Sequence, residues 1–150
     1  MARDSSVATG SATSSGVEVL TLTAINVTTS SINYGTVSAN SDTGATNQLA
    51  TTTNAGNSST TLQLSASVTL TSGANSIPTS SQHYSTSTFT YAGTSTALSA
   101  SAATVSGFTL TQPTSTTNVA QITYWGLAVP AGTPTGTYSG TNVFTSLFKP

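Results

Sequence analysis

The chain has 150 residues, of which 35% are hydrophobic and only 3% charged, with a formal net charge of −1 and no cysteine. Arg3, Asp4, Glu18, Asp42 and Lys149 are the entire set of charges, and His83 is the one histidine. Two basic residues at opposite ends cannot displace counterions from a run of phosphates, which excludes nucleic acid as a partner. The same shortage excludes electrostatic attachment to an anionic membrane. No stretch approaches the ~18 apolar residues of a membrane span, so no membrane insertion is expected. Without cysteine there are no disulfides and no thiolate metal site.

Serine and threonine make up about 40% of the chain, far above ordinary usage. Solubility therefore rests on hydroxyls and amides rather than on charge. Low hydrophobicity with high net charge would signal disorder; this chain has neither, and its apolar residues alternate with polar ones. Threonine suits a pleated surface, so the expectation is a folded all-β protein. The opening MARDSSVATGSATSSG lacks the apolar centre of a secretion signal, so an exported protein would here be a mature or trimmed chain. The hydroxyl-rich, lysine-poor composition points to an extracellular or cell-surface location.

Residues 1–16 are small, polar and aperiodic, and read as a flexible tail or a donated segment. Residues 17–150 read as a single domain. Val17 to Val27 predicts the first strand, with Val17, Val19, Ile25 and Val27 on one parity and Leu20 and Leu22 on the other. That conflict implies a bulge or a strand covered on both faces. Ile32 to Val37 predicts a short strand, and Ser38 to Thr46 a loop. Leu49 to Thr53 predicts a strand closed by the turn Asn54-Ala55-Gly56-Asn57. Leu62, Leu64, Ala66, Val68 and Leu70 then alternate with Gln63, Ser65, Ser67 and Thr69, the pattern of a strand with one buried face.

Thr71 to Ser81 is a loop anchored by Ile77-Pro78. His83 to Tyr91 predicts a strand with Phe89 and Tyr91 on one side. Ala92 to Ala103 suits either a helical turn or a meandering loop. Val105 to Leu110 predicts a strand ended by Gln112-Pro113. The largest side chains near the C-terminus lie in Gln121 to Phe148, which reads as a hairpin through PAGTPTG and as the centre of the core. Thr123, Trp125, Leu127 and Val129 fall on one parity, Ile122, Tyr124, Gly126 and Ala128 on the other. On the return, Tyr138, Gly140, Asn142, Phe144 and Phe148 share a side. Seven or eight short, mostly antiparallel strands at regular spacing predict a β-sandwich.

Two stretches carry a family likeness. TTTNAGNSSTTLQLSASVTL (51–70) resembles the strand, Asn-x-Gly-Asn turn and alternating strand of immunoglobulin-like domains in bacterial surface proteins. ANSIPTSSQHYSTSTFTY and YWGLAVPAGTPTGTYSGTNVFT resemble the C-terminal β-sandwich domain of large, uncharacterised exported proteins. The likeness runs from about Ile32 to Phe148. It implies an extracellular immunoglobulin-like module and brings no activity, cofactor or catalytic residue with it.

Chemistry has little to work with. A triad built on His83 needs a carboxylate to orient it, and only Asp4, Glu18 and Asp42 exist. Glu18 and Asp42, the only pair for a glycosidase, fall in a strand and a glycine-rich loop. Asp42 with Asn40 and Ser41 offers oxygen ligands to calcium, but a lone carboxylate more commonly makes an Asx turn. No catalytic, metal or cofactor-binding residue is therefore assigned, and no cofactor is expected. A sugar platform would need exposed aromatics. Trp125 shares its parity with Leu127 and Val129 and reads as core, which leaves Tyr124 and Tyr138 as ligand contacts. Thr-x-Thr spacing recurs without the exact repeat of an ice-binding surface. Asn26-Val27-Thr28 and Asn57-Ser58-Ser59 match a glycosylation pattern that a chain so rich in hydroxyls produces by chance.

The leading expectation is a non-enzymatic extracellular structural protein, a surface module or fibre subunit. Its partners would be copies of itself, joined by β-strand addition through the N-terminal tail or through Thr145–Phe148. The competing expectation is a module that binds glycans or mediates adhesion.

Overall fold

The computed structural model describes residues 11–150. Arg3 and Asp4, with the first ten residues of the tail, lie outside the described residues. The fold is all-β, a sandwich of two antiparallel sheets. In chain order the strands are β1 (Ile25–Val27), β2 (Ser41–Asp42), β3 (Gln48–Asn54), β4 (Thr60–Ser72), β5 (Asn75–Ile77), β6 (Gln82–Ser85), β7 (Thr96–Ala97), β8 (Ala103–Thr104), β9 (Ala120–Val129) and β10 (Ser139–Phe148). The first sheet runs β1-β3-β9-β6-β7, with β2 beside the end of β9. The second runs β10-β4-β5, with β8 also on β4. Ten strands replace the expected seven or eight because β2, β7 and β8 are two-residue ladders too short to leave a pattern in the sequence.

Two strands set the core. Along β9 the alternation places Thr123, Trp125, Leu127 and Val129 inward, with Trp125 fully buried (0% exposed). Its indole N–H donates to Thr123 Oγ1 at 2.9 Å, so the buried polar atom is satisfied. From the other sheet, β4 turns in Leu62, Leu64, Ala66 and Leu70. Trp125 lies between Tyr84 of its own sheet and Phe144 of the facing one, with ring centroids 5.6 and 5.9 Å away.

The expected C-terminal hairpin is not one. β9 pairs with β3, β6 and β2, whereas β10 pairs with β4 in the opposite sheet. Pro130 to Tyr138 is thus an arch between sheets. Each strand has one apolar face, and placing Trp125 opposite Phe144 buries both faces at once.

Other expectations need correction. The first strand covers only Ile25–Val27; before it, Ala24 and Leu22 accept from Ala55 and Asn57 in the turn after β3 rather than from a strand. Ile32 to Val37 forms no strand: Gly35 has φ +70 and its N–H donates to Asn33 Oδ1, which bends the chain. β6 stops at Ser85, and the loop after it folds over the outer face of the first sheet. There Phe89 exchanges bonds with the Asn47 side chain and covers Gly126, where a Cβ would come within 3.2 Å of the ring. That contact accounts for a glycine in the middle of the central strand. In Val105 to Leu110, Gly107 at φ +73 breaks the extended run, leaving one bridge between Thr60 and Leu110.

Val68 is 50% exposed although it shares a parity with the buried Leu64, Ala66 and Leu70. The β4–β10 register shifts twice near it, between Asn142 and Thr141 and between Thr141 and Ser139. One shift turns the side chains over and the next restores them.

Candidate functional site

On the side of the sandwich where β10 ends the second sheet, the two layers part. A cleft of about 970 Å³ runs between residues 30–37 and residues 136–144. Its floor is apolar, with Leu70, Ile77, Leu127 and Val129 forming a core cluster of their own. β10 is bonded to β4 along one side, and no described strand pairs with the other.

A polar knot crosses the cleft floor. The Gln82 side chain is 1% exposed. Its Oε1 accepts from Asn142 Nδ2 at 3.0 Å and from the Tyr34 hydroxyl at 3.1 Å, while its Nε2 donates to Asn142 Oδ1 at 3.4 Å. These contacts tie β6, β10 and the 30–37 segment together across both sheets. Burial, and secondarily the charge of Tyr91, push the Tyr34 phenol far above its ordinary pKa. The hydroxyl therefore stays protonated and donates.

At the other end of the molecule an N-terminal arm leaves the domain. Leu22 and Ala24 continue the β1–β3 register past Asn54, accepting from the N–H groups of Asn57 and Ala55. The Asn57 side chain then clamps the arm, accepting from Leu22 N and donating to the Leu20 carbonyl at 2.8 Å. Gly56 is required beneath it, because a Cβ there would collide with the Leu22 carbonyl oxygen. Residues 11–22 are exposed throughout, and the arm displays Val17 (85%), Val19 (76%), Leu20 and Leu22 to solvent. Val19 and Thr21 line a shallow depression with Phe148, Lys149 and Pro150.

The residues singled out from the sequence are scattered. Tyr138 lines the cleft, packs on the Leu70–Val129 cluster and donates its hydroxyl to the Pro134 carbonyl. Tyr124 is half-buried on the opposite parity of β9 from Trp125, so the two tyrosines do not form one platform. His83 Nδ1 lies 2.8 Å from Ser95 Oγ, and its ring stacks on Tyr91 at 4.5 Å. Desolvation holds the imidazole below its ordinary pKa, against a backbone hydrogen bond at Ser80 that raises it. Asp42 Oδ1 accepts from Gly44 N at 2.7 Å, an Asx turn. Among the described residues, no three His, Asp or Glu side chains gather as metal ligands.

Gln82, Tyr34 and Asn57 were not legible as site residues. Asn142 carried the one available signal, an amide on the inward parity of β10 beside Phe144. Comparison with known proteins returned no match to a family model, a curated protein or a solved structure.

Proposed function

We propose that this chain is a non-enzymatic extracellular structural protein, an immunoglobulin-like module of a cell surface or fibre whose copies join by strand addition. The observation that carries this reading is the cleft, part polar and part apolar, beside the unpaired side of β10. An edge strand flanked by an opening into the core is a template for another extended chain. The buried Trp125 on a central strand, facing a second antiparallel sheet, supports the immunoglobulin-like assignment. The hydroxyl-rich, nearly uncharged surface supports the extracellular one and opposes close approach of copies very little. Sedimentation velocity over a concentration series, with negative-stain microscopy, tests the assembly. Growth into oligomers or filaments is expected, and a monomer at the highest soluble concentration would refute it.

One feature favours a glycan-binding reading instead: Tyr138 and the Gln82–Asn142 amides lie on the same cleft. Retention on a polysaccharide column that is abolished by Tyr138→Ala would favour it over assembly.

A further inference from the structure

Resting on the assembly reading, we infer that the N-terminal arm is the donor and the outer side of β10 the acceptor, with residues 11–19 of one copy adding a fifth strand to the β10-β4 sheet of the next. Two independent observations converge on this pairing, and a third bears on its geometry.

The first is the acceptor edge. Asn142–Phe148 pairs in unbroken register with Ala66–Thr60, so this strand is already committed to its own fold and is not free to be donated. Its other side carries none of the usual guards, since NVFTSLF contains no charge and no proline until Lys149-Pro150 follows it.

The second is the donor. Ser11–Val19 contributes no backbone hydrogen bond to the described fold, yet it ends in two fully displayed valines. In an extended chain Thr13, Ser15, Val17 and Val19 share one face, and Glu18 falls on the other. Docked on β10, that arrangement turns the valines to the cleft and keeps the carboxylate in water.

The third is polarity. The arm leaves beside the Asn54–Ser59 turn and Phe148, whereas the cleft reaches Val129 and Gly136 by the opposite arch. The acceptor strand spans both ends: its Phe148 end lies beside the arm's exit, and its Asn142 end lies on the cleft. A contact between two different surfaces of this kind grows into a filament or a ring, unless two copies exchange arms and close as a dimer.

The test compares the full chain with a V17S/V19S variant. Both side chains are exposed, so the urea midpoint at low concentration should be unchanged. Association of the variant should weaken by roughly 100-fold. Hydrogen exchange should show that the amides of Asn142–Phe148 facing away from β4 become protected on assembly of the wild type and stay unprotected in the variant. A peptide spanning Ser11–Thr23, added to the variant, should restore that protection. Equal association of variant and wild type, or protection that falls elsewhere than on β10, would overturn the arm as donor and leave self-assembly standing. A wild type that never associates would overturn both.

Discussion

Thr52 is fully buried, and its hydroxyl is the one buried side-chain polar atom among the described residues without a hydrogen-bond partner. An orphaned buried hydroxyl costs about 1–3 kcal/mol, and an isosteric apolar replacement removes that cost. Thr52→Val should therefore raise the free energy of unfolding by about 1 kcal/mol, read as a higher urea midpoint at unchanged slope. Tyr34 makes the opposite case, because its hydroxyl completes the knot on Gln82. Its folded-state pKa is raised, so the folded form holds its proton more tightly than the unfolded chain does. The stability it contributes is present below the unfolded value of about 10 and is lost as pH climbs above it. Tyr34→Phe should cost about 1 kcal/mol near neutrality and should make the alkaline decline less steep in urea titrations. Neither residue stood out in the sequence. A threonine in a threonine-rich strand and a tyrosine in INYGTV look ordinary, and only the facing sheet decides whether their hydroxyls meet a partner or hydrocarbon.

The strands differ in how many neighbours hold them. Tyr124 and Trp125 of β9 pair with Leu49 and Gln48 on one side and with Ser85 and Tyr84 on the other, whereas β10 has only β4. Amides of β9 should exchange slowest in the molecule, and those on the free side of β10 should exchange quickly in the monomer, as mass spectrometry after deuterium labelling would report. What could be read beforehand followed the same line. Period-two alternation marked the inward faces of β4 and β9, including Trp125, because each strand's own side chains carry that signal. Pairing was not marked. The run through PAGTPTG reads equally as a hairpin turn or as an arch, and the choice was made by Phe144 meeting Trp125 from the other sheet. Val17 to Leu22 resembled a strand on composition, but only Leu20 and Leu22 find partners, in Asn57 and Ser58 of a turn rather than in a strand. The cleft was illegible for a related reason, since it is a space between elements distant in the chain.

At the scale of the whole molecule, association through β10 would join surfaces nearly free of charge. Glu18, Asp42, Lys149 and His83 are the only titratable side chains other than tyrosine among the described residues. Assembly should accordingly change little between about 0.05 and 0.5 M salt, a range that shortens the screening length severalfold. A steep salt dependence in sedimentation would point to a different interface. The arch has a further consequence, for the order of events during biosynthesis. Thr60 must wait for Phe148 before β4 gains its long neighbour, and contacts so remote in the chain make folding slow. Until β10 emerges from the ribosome, Trp125 lacks its contact with Phe144 and the second sheet lacks its longest pairing.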